Sequence, residues 1–267
     1  MIRRPFPGLV LFAVCMFQAL NAAANSPAPK LSAEDRTIGR VVQLTNEIRV
    51  QHGLAPLQVH PALSKSARWM AQDMVQHDYL RHTDFLGREI DPRLPEFGYE
   101  DYREIGENIA GGQLTPEEVV ADWMKSPGHR ANLLNPNFRE IGVAHLVGTH
   151  THYKHYWVQD FGMRSDSYPV VINNKAAETR DPTVHLYVHG KGWATQMRFS
   201  NDQVHWSDWE AYRTQRDWTV LPGSGDRTVY AEVRGEGIVR RSTDTVRLQS
   251  SQLPSLIASA VSAHAAR

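Results

Sequence analysis

Near residue 165 the apolar pattern of this chain changes period, and that change limits the fold more than any other feature. Before it, apolar residues recur three and four apart in three stretches; after it they alternate in short runs broken by turn residues. A helical period does not settle as a strand, nor an alternating one as a helix. The chain therefore reads as α+β at first and all-β afterwards. We place the junction between Gly162 and Tyr168 and expect two independently folded units, for which 267 residues are enough.

In the first part, Ser32 is a candidate N-cap with Asp35 three places on. Ile38, Val41, Val42, Thr45, Ile48 and Arg49 then follow at helical spacing until Gly53. A second helix after Pro61 carries Leu63, Ala67, Met70, Ala71 and Met74 on one face and runs out at "HDYLRHTDF", which delivers His82 into a loop. Thr115, Pro116 and Glu118 announce a third, burying Val119, Val120 and Trp123. That helix breaks at Ser126-Pro127-Gly128, because proline moves the residue before it out of helical dihedrals. It resumes with His129 in its first turn. The segments "EIGVAHLV" and "HYWVQDFG" read as a meander or hairpin. Ile141, Val143, Tyr156 and Val158 fall on one alternation and Trp157 and Phe161 on the other, so helices should cover both faces.

After "FGMRSDSYP" the runs "VHLYV", "TQMRFS", "WTVL", "RTVYAEV" and "DTVRLQ" predict a β-sandwich over 168–250, with Trp193, Trp206, Trp209 and Trp218 filling its core and edges. Residues 251–267 read as a tail.

The N-terminus has the form of an export signal. Arg3 and Arg4 precede a short apolar run, and small residues at Ala22 and Ala24 suit cleavage after Ala24, leaving 25–35 as a linker. No other stretch approaches the ~20 apolar residues of a membrane span. The expectation is an exported protein, periplasmic or extracellular. The single cysteine, Cys15, lies in the apolar run, so cleavage removes disulfides, thiol nucleophiles and thiolate metal sites together. A formal net charge of +0 gives no basic field for nucleic acid.

Chemistry-bearing groups gather in the first part: His82 in "RHTDF", Glu107 in "GENIAGG", His129 in "SPGHR", and the "HYKHYWVQ" strand. Glu107 has three readings: it orients a histidine, ligates a metal, or ties its own glycine-flanked loop to backbone amides. His129 at the third position of a resumed helix feels the positive end of the dipole, which disfavours imidazolium. His145, His150, His152 and His155 sit around a hairpin tip where nothing fixes a coordination geometry. Zinc-peptidase "HExxH", hydrolase-elbow and phosphate-loop motifs are absent.

Taken together, "LTNEIRVQHGLAPLQVHPALSKSARWMAQDM", "HTDF", "GENIAGG", "VVADWMKSPGHRANLLNPNFREIGVA" and "YWVQDFG" resemble the cysteine-free bacterial branch of the CAP superfamily. CAP joins the cysteine-rich secretory, antigen 5 and pathogenesis-related 1 proteins. The resemblance implies an α-β-α sandwich over about 36–165 with a central antiparallel sheet and a surface cleft. In that family the cleft carries two histidines and two glutamates, which bind a divalent cation in some members, while others bind lipids or sterols. His82 and Glu107 match one of each. Ser126 stands where the second glutamate is expected and Tyr156 where the second histidine is, with His155 one residue earlier on the opposite face. His129 is typical of the bacterial branch, so the cleft is expected to be lined by His82, Glu107, His129 and Tyr156. The second part, with "MRFSND" followed by "W-S-x-W", resembles bacterial immunoglobulin-like modules.

Three functions compete: a binding protein holding a small hydrophobic ligand or cell-envelope component, with the sandwich contacting a protein partner; a hydrolase using His82 or His129 as base with Glu107 orienting it; and a structural adhesin with a vestigial cleft. The binding reading leads, because a hydrolase needs a marked nucleophile or a full metal set. No cofactor is assigned beyond a weak divalent cation.

Overall fold

A computed structural model describes residues 31–249. The expected export signal, most of the expected linker and the expected tail lie outside that range. Helix α1 spans Ala33–Gln51 and starts as the sequence predicts: the Ser32 hydroxyl accepts from the Asp35 amide at 2.9 Å, and the Asp35 carboxylate accepts from the Ser32 amide at 3.3 Å. It buries Val41, Val42, Thr45, Asn46 and Arg49. Helix α2, Pro61–His77, has His60 as its N-cap, whose ring nitrogen accepts from the Ala62 amide. Ile90–Arg93 forms the one-turn α3, and α4 (Pro116–Lys125) and α5 (Pro127–Leu133) flank the corner at Ser126.

These helices enclose a four-stranded sheet of order β1 (Gln58–Val59), β3 (Glu140–Val147), β4 (His155–Arg164), β2 (Tyr102–Gly111). The short β1 runs parallel to β3, and the other pairings are antiparallel. Strand β2 corrects the sequence reading, in which Glu107 sat in a loop. Glycines argue against a strand interior, yet they also mark close approach of another backbone. A Cβ at Gly106 would lie 2.9 Å from the Asn132 side-chain oxygen. The glycine lets α5 come in against β2.

The hairpin register corrects a second expectation. Ile141 pairs with Phe161 and Val143 with Gln159, so these share a face with Trp157, against Val41, Val42, Val119, Val120 and Trp123. Tyr156 and Val158 lie on the opposite face with Ala144 and Ile109, against Ala67, Met70, Ala71 and Met74 of α2. Alternation fixes the two faces of each strand but not which faces of two strands align. Helices do cover both sides, as expected.

Beyond the junction lie two further sheets. One has the order β10 (Gln215–Thr219), β7 (Thr183–Val188), β5 (Val170–Ile172). The other has the order β6 (Glu178–Thr179), β12 (Ile238–Leu248), β11 (Gly225–Gly235), β8 (Gln196–Ser200), β9 (Glu210–Ala211). They share one apolar core, in which Val184, Leu186 and Val188 face Met197, Phe199, Val229 and Val233. Trp193 and Trp218 pack against it. Trp206 and Trp209 instead lie under the Arg198 guanidinium, at 4.9 and 4.6 Å. Bonds cross the junction: Gln58 donates to the Val170 carbonyl at 2.7 Å, and a His189 ring nitrogen lies 2.8 Å from the Pro56 carbonyl. Burial pushes the His189 imidazole down to about 4, so this contact is made by a neutral ring near pH 7.

Candidate functional site

The centre of the site is the carboxylate of Glu107, on the face of β2 that looks toward α2. Its side chain is only 3% exposed, and both oxygens are engaged. One meets His82 Nδ1 at 2.9 Å; the other accepts from the Arg93 guanidinium, which is itself fully buried. Arg93 also reaches Met70 Sδ at 3.3 Å, which ties α3 to α2. A buried carboxylate with a guanidinium on one side and an imidazole on the other is paired, and pairing is the condition for burying charge.

His82 is half exposed. Its Nδ1 edge is fixed inward, so ring geometry turns Nε2 outward as the free group. The bond to Glu107 raises the imidazole pKa, with burial opposing it, and Glu107's charge adds to the rise. His129 lies across from it, ring centroids 6.4 Å apart and planes tilted by 49°. Its pKa is lowered by burial first and by His82 second. The two rings are driven in opposite directions, one toward imidazolium and one toward neutral imidazole.

His129 is placed by its backbone. Asn108 Nδ2 donates to the His129 carbonyl at 3.2 Å, while Asn132 Nδ2 donates to the Glu107 carbonyl at 3.0 Å and to the Asn108 side chain at 2.9 Å. These bonds lash α5 to β2 at the level of Glu107. The corner before α5 is held from the other side, where the Trp123 indole donates to the Ile109 carbonyl at 3.1 Å. Ser126 occupies the N-cap but makes no capping bond through its hydroxyl.

The structure thus brings together His82, Glu107 and His129. Tyr156 is buried on the same sheet face among α2 side chains, and its hydroxyl donates to Asp78 at 2.9 Å. Sequence reasoning missed Arg93 and Asp160. Arg93 follows "DP" in a segment with no period and left no signal. Asp160 did leave one: it shares the alternation of Tyr156 and Val158 and pairs with Glu107 across the strands. It is fully buried, and burial together with the Glu107 charge pushes its pKa well up, toward a neutral acid.

The hairpin histidines lie elsewhere. His145 Nε2 meets His155 Nδ1 at 3.0 Å, and His145 stacks on Trp157 at 3.8 Å. Burial pulls its pKa down to about 4. Among the described residues no group of three or more His, Cys, Asp and Glu is arranged to hold a metal ion.

Residues 42–161 match the family model of the cysteine-rich secretory proteins, CAP. This segment is a CAP domain. The match lies inside the 36–165 expected from the sequence. The uncharacterized protein YkwD of Bacillus subtilis is 46% identical over 127 residues, which is 47% of this chain and 47% of the relative. The uncharacterized membrane protein YlbC of the same organism is 36% identical over 104 residues, 39% of this chain and 30% of the relative. The chain thus spans half or less of these relatives' own lengths. Among solved structures, an outer surface protein of Borrelia burgdorferi has a TM-score of 0.46 at 23% identity, covering 52% of this chain and 99% of that one. An extracellular protein containing an SCP domain from Bacillus anthracis has a TM-score of 0.44 at 26% identity, covering 51% and 45%. No helix among the described residues is long and apolar enough to cross a membrane.

Proposed function

We propose that the protein is exported and that its CAP domain is a binding domain. It holds a small ligand or cell-envelope component against His82 and His129, while the immunoglobulin-like unit at 168–250 serves as a contact module. The supporting observation is the Arg93–Glu107–His82 chain. Both Glu107 oxygens are spent on holding other residues, so the carboxylate acts as an orienter, and His82 presents its Nε2 outward opposite His129, a donor when the ring is protonated and an acceptor when it is neutral. Such a pair offers one imidazole shifted toward its charged, donating form and one shifted toward its neutral form, about one small polar group apart. The opposite shifts of the two imidazoles favour a second reading, a hydrolase with His82 as acid and His129 as base.

Native mass spectrometry of the full chain, purified from its export compartment, tests the first reading. A co-purifying small molecule should be retained by Tyr156→Phe and lost from His82→Ala and His129→Ala. Retention in both histidine variants would place binding elsewhere. Turnover of an ester or peptide that is lost in both would favour the hydrolase.

Zinc binding should be weak. The Glu107 carboxylate is committed to Arg93 and His82, leaving two imidazoles where a tight site uses three or four protein ligands. Calorimetry is expected to give a Kd weaker than about 10 μM, declining further as acid protonates the rings. The His145/His155 pair is removed beforehand as a competing site. A submicromolar site abolished by His82→Ala would contradict the assignment of Glu107.

A further inference from the structure

Away from the histidine site, the segment joining β4 to β5 borders a cavity of about 320 Å³ between the CAP domain and β12. That volume is near the low end of the roughly 300–1,000 Å³ of ligand pockets. One wall is a closed network. Glu140, buried at 3% exposure, accepts from Tyr99 at 2.7 Å, from Ser167 at 2.7 Å and from Arg164 at 2.7 and 3.1 Å. Burial pushes its pKa up, but the bonds from Arg164, Ser167 and Tyr99 outweigh that and leave it lowered. Glu140 and Arg164 therefore cancel and offer no free charge.

The opposite wall differs. Arg240 and Arg241 of β12 both line the cavity. Arg241 pairs with Glu232, which is already bonded to Arg198, so one carboxylate is shared by two guanidiniums. The Arg240 side chain makes no hydrogen bond or ion pair among the described residues. Asp166, on the joining segment, feels Arg164, but its carboxylate accepts no hydrogen bond among the described residues. Tyr168 offers no open ring face, because Trp193 stacks on it at 4.4 Å and the Arg139 guanidinium lies over it at 4.9 Å. Among the described residues the cavity thus has one uncommitted cation, one uncommitted carboxylate and no stacking platform.

We propose that this cavity binds a small hydroxylated carboxylic acid of sugar-acid size, its carboxylate on Arg240 and a hydroxyl on Asp166. A planar guanidinium matches a carboxylate with two parallel bonds, and an ionised carboxylate can only accept, which selects a hydroxyl over a second acid. Because Glu232 is shared by Arg198 and Arg241, the β12 wall keeps an excess of positive charge that favours an anion. The site is independent of His82 and His129.

The test is NMR titration of the full chain with D-glucuronate and, as the matched neutral sugar, D-glucose. Glucuronate is expected to shift the amides of 164–169 and 240–243 saturably, and glucose not to. Arg240→Ala and Asp166→Asn should each weaken glucuronate roughly tenfold, the scale of one charge-assisted bond, whereas His82→Ala leaves it unchanged. Arg240 lies at a partly exposed position, so its loss should not unfold the protein, and the amide spectrum of each variant checks this. Equal response to the two sugars, no response to either, or full affinity in Arg240→Ala overturns the proposal.

Discussion

Arg93→Met is expected to lower the free energy of unfolding by about 3–5 kcal/mol, the range for removing one partner of a buried ion pair. Arg93 is fully buried and its guanidinium binds Glu107, whose side chain is 3% exposed. Methionine keeps most of the apolar stem volume, so the loss comes mainly from leaving Glu107 facing the apolar interior with only His82 as partner. Because Asp160 is paired with Glu107 across the strands, loss of the cation leaves two acids facing each other. Urea denaturation of the single and double variants checks the cause. Arg93→Met with Glu107→Met should recover much of the loss, since paired replacement by apolar groups is often neutral or better. A single-variant loss below about 1 kcal/mol, the scale of a surface pair, would mean that the pair is hydrated.

Gly142→Ala is expected to cost roughly 3 kcal/mol or more, at or beyond the upper end of overpacking. A Cβ there would lie 2.1 Å from the Leu63 carbonyl carbon and 2.2 Å from the Ser64 nitrogen, both α2 backbone atoms that no rotamer change moves away. Helix α2 has to lift from β3, and the loop carrying His82 follows that helix. The variant should therefore disturb His82 as well as stability. Gly39→Ala is the matched control, since nothing lies within 4 Å of the added carbon on α1. It should be neutral or stabilising by up to about 1 kcal/mol. Equal effects at the two glycines would show that α2 does not press on β3 as described.

The elements were legible where a local rule decides them. The capping pair Ser32 and Asp35, the apolar face of α2 and the corner at Ser126 all follow from spacing and from the dihedral limits of proline. Strand β2 was obscured because Gly106 and Gly111 weaken its local signal, while the reason for Gly106, the approach of Asn132, is distant in sequence. The relative faces of β3 and β4 were illegible for a related reason. Alternation is a property of one strand, and register is set by pairing. Within the site, His82, Glu107 and His129 could be named from their motifs. The residue that anchors Glu107 could not, because Arg93 reaches it from a one-turn helix with no period of its own. Tyr156 was grouped with the cleft by motif order, whereas its hydroxyl is spent on Asp78.

The pairing of His82 with Glu107 also sets a pH dependence. A raised imidazole pKa means that this contribution to stability is fully present below the unfolded value of ~6.5 and is lost as pH rises through the higher folded value. The direct measurement is an NMR titration of the His82 and His129 ring resonances in the native chain and in Glu107→Gln. The native protein should show His82 titrating above the ordinary imidazole value and His129 below it. In Glu107→Gln, His82 should fall, and His129 should rise slightly as its charged neighbour is lost. A native His82 at or below the ordinary value, or one that does not move when Glu107 is replaced, would contradict the arrangement on which the binding site rests.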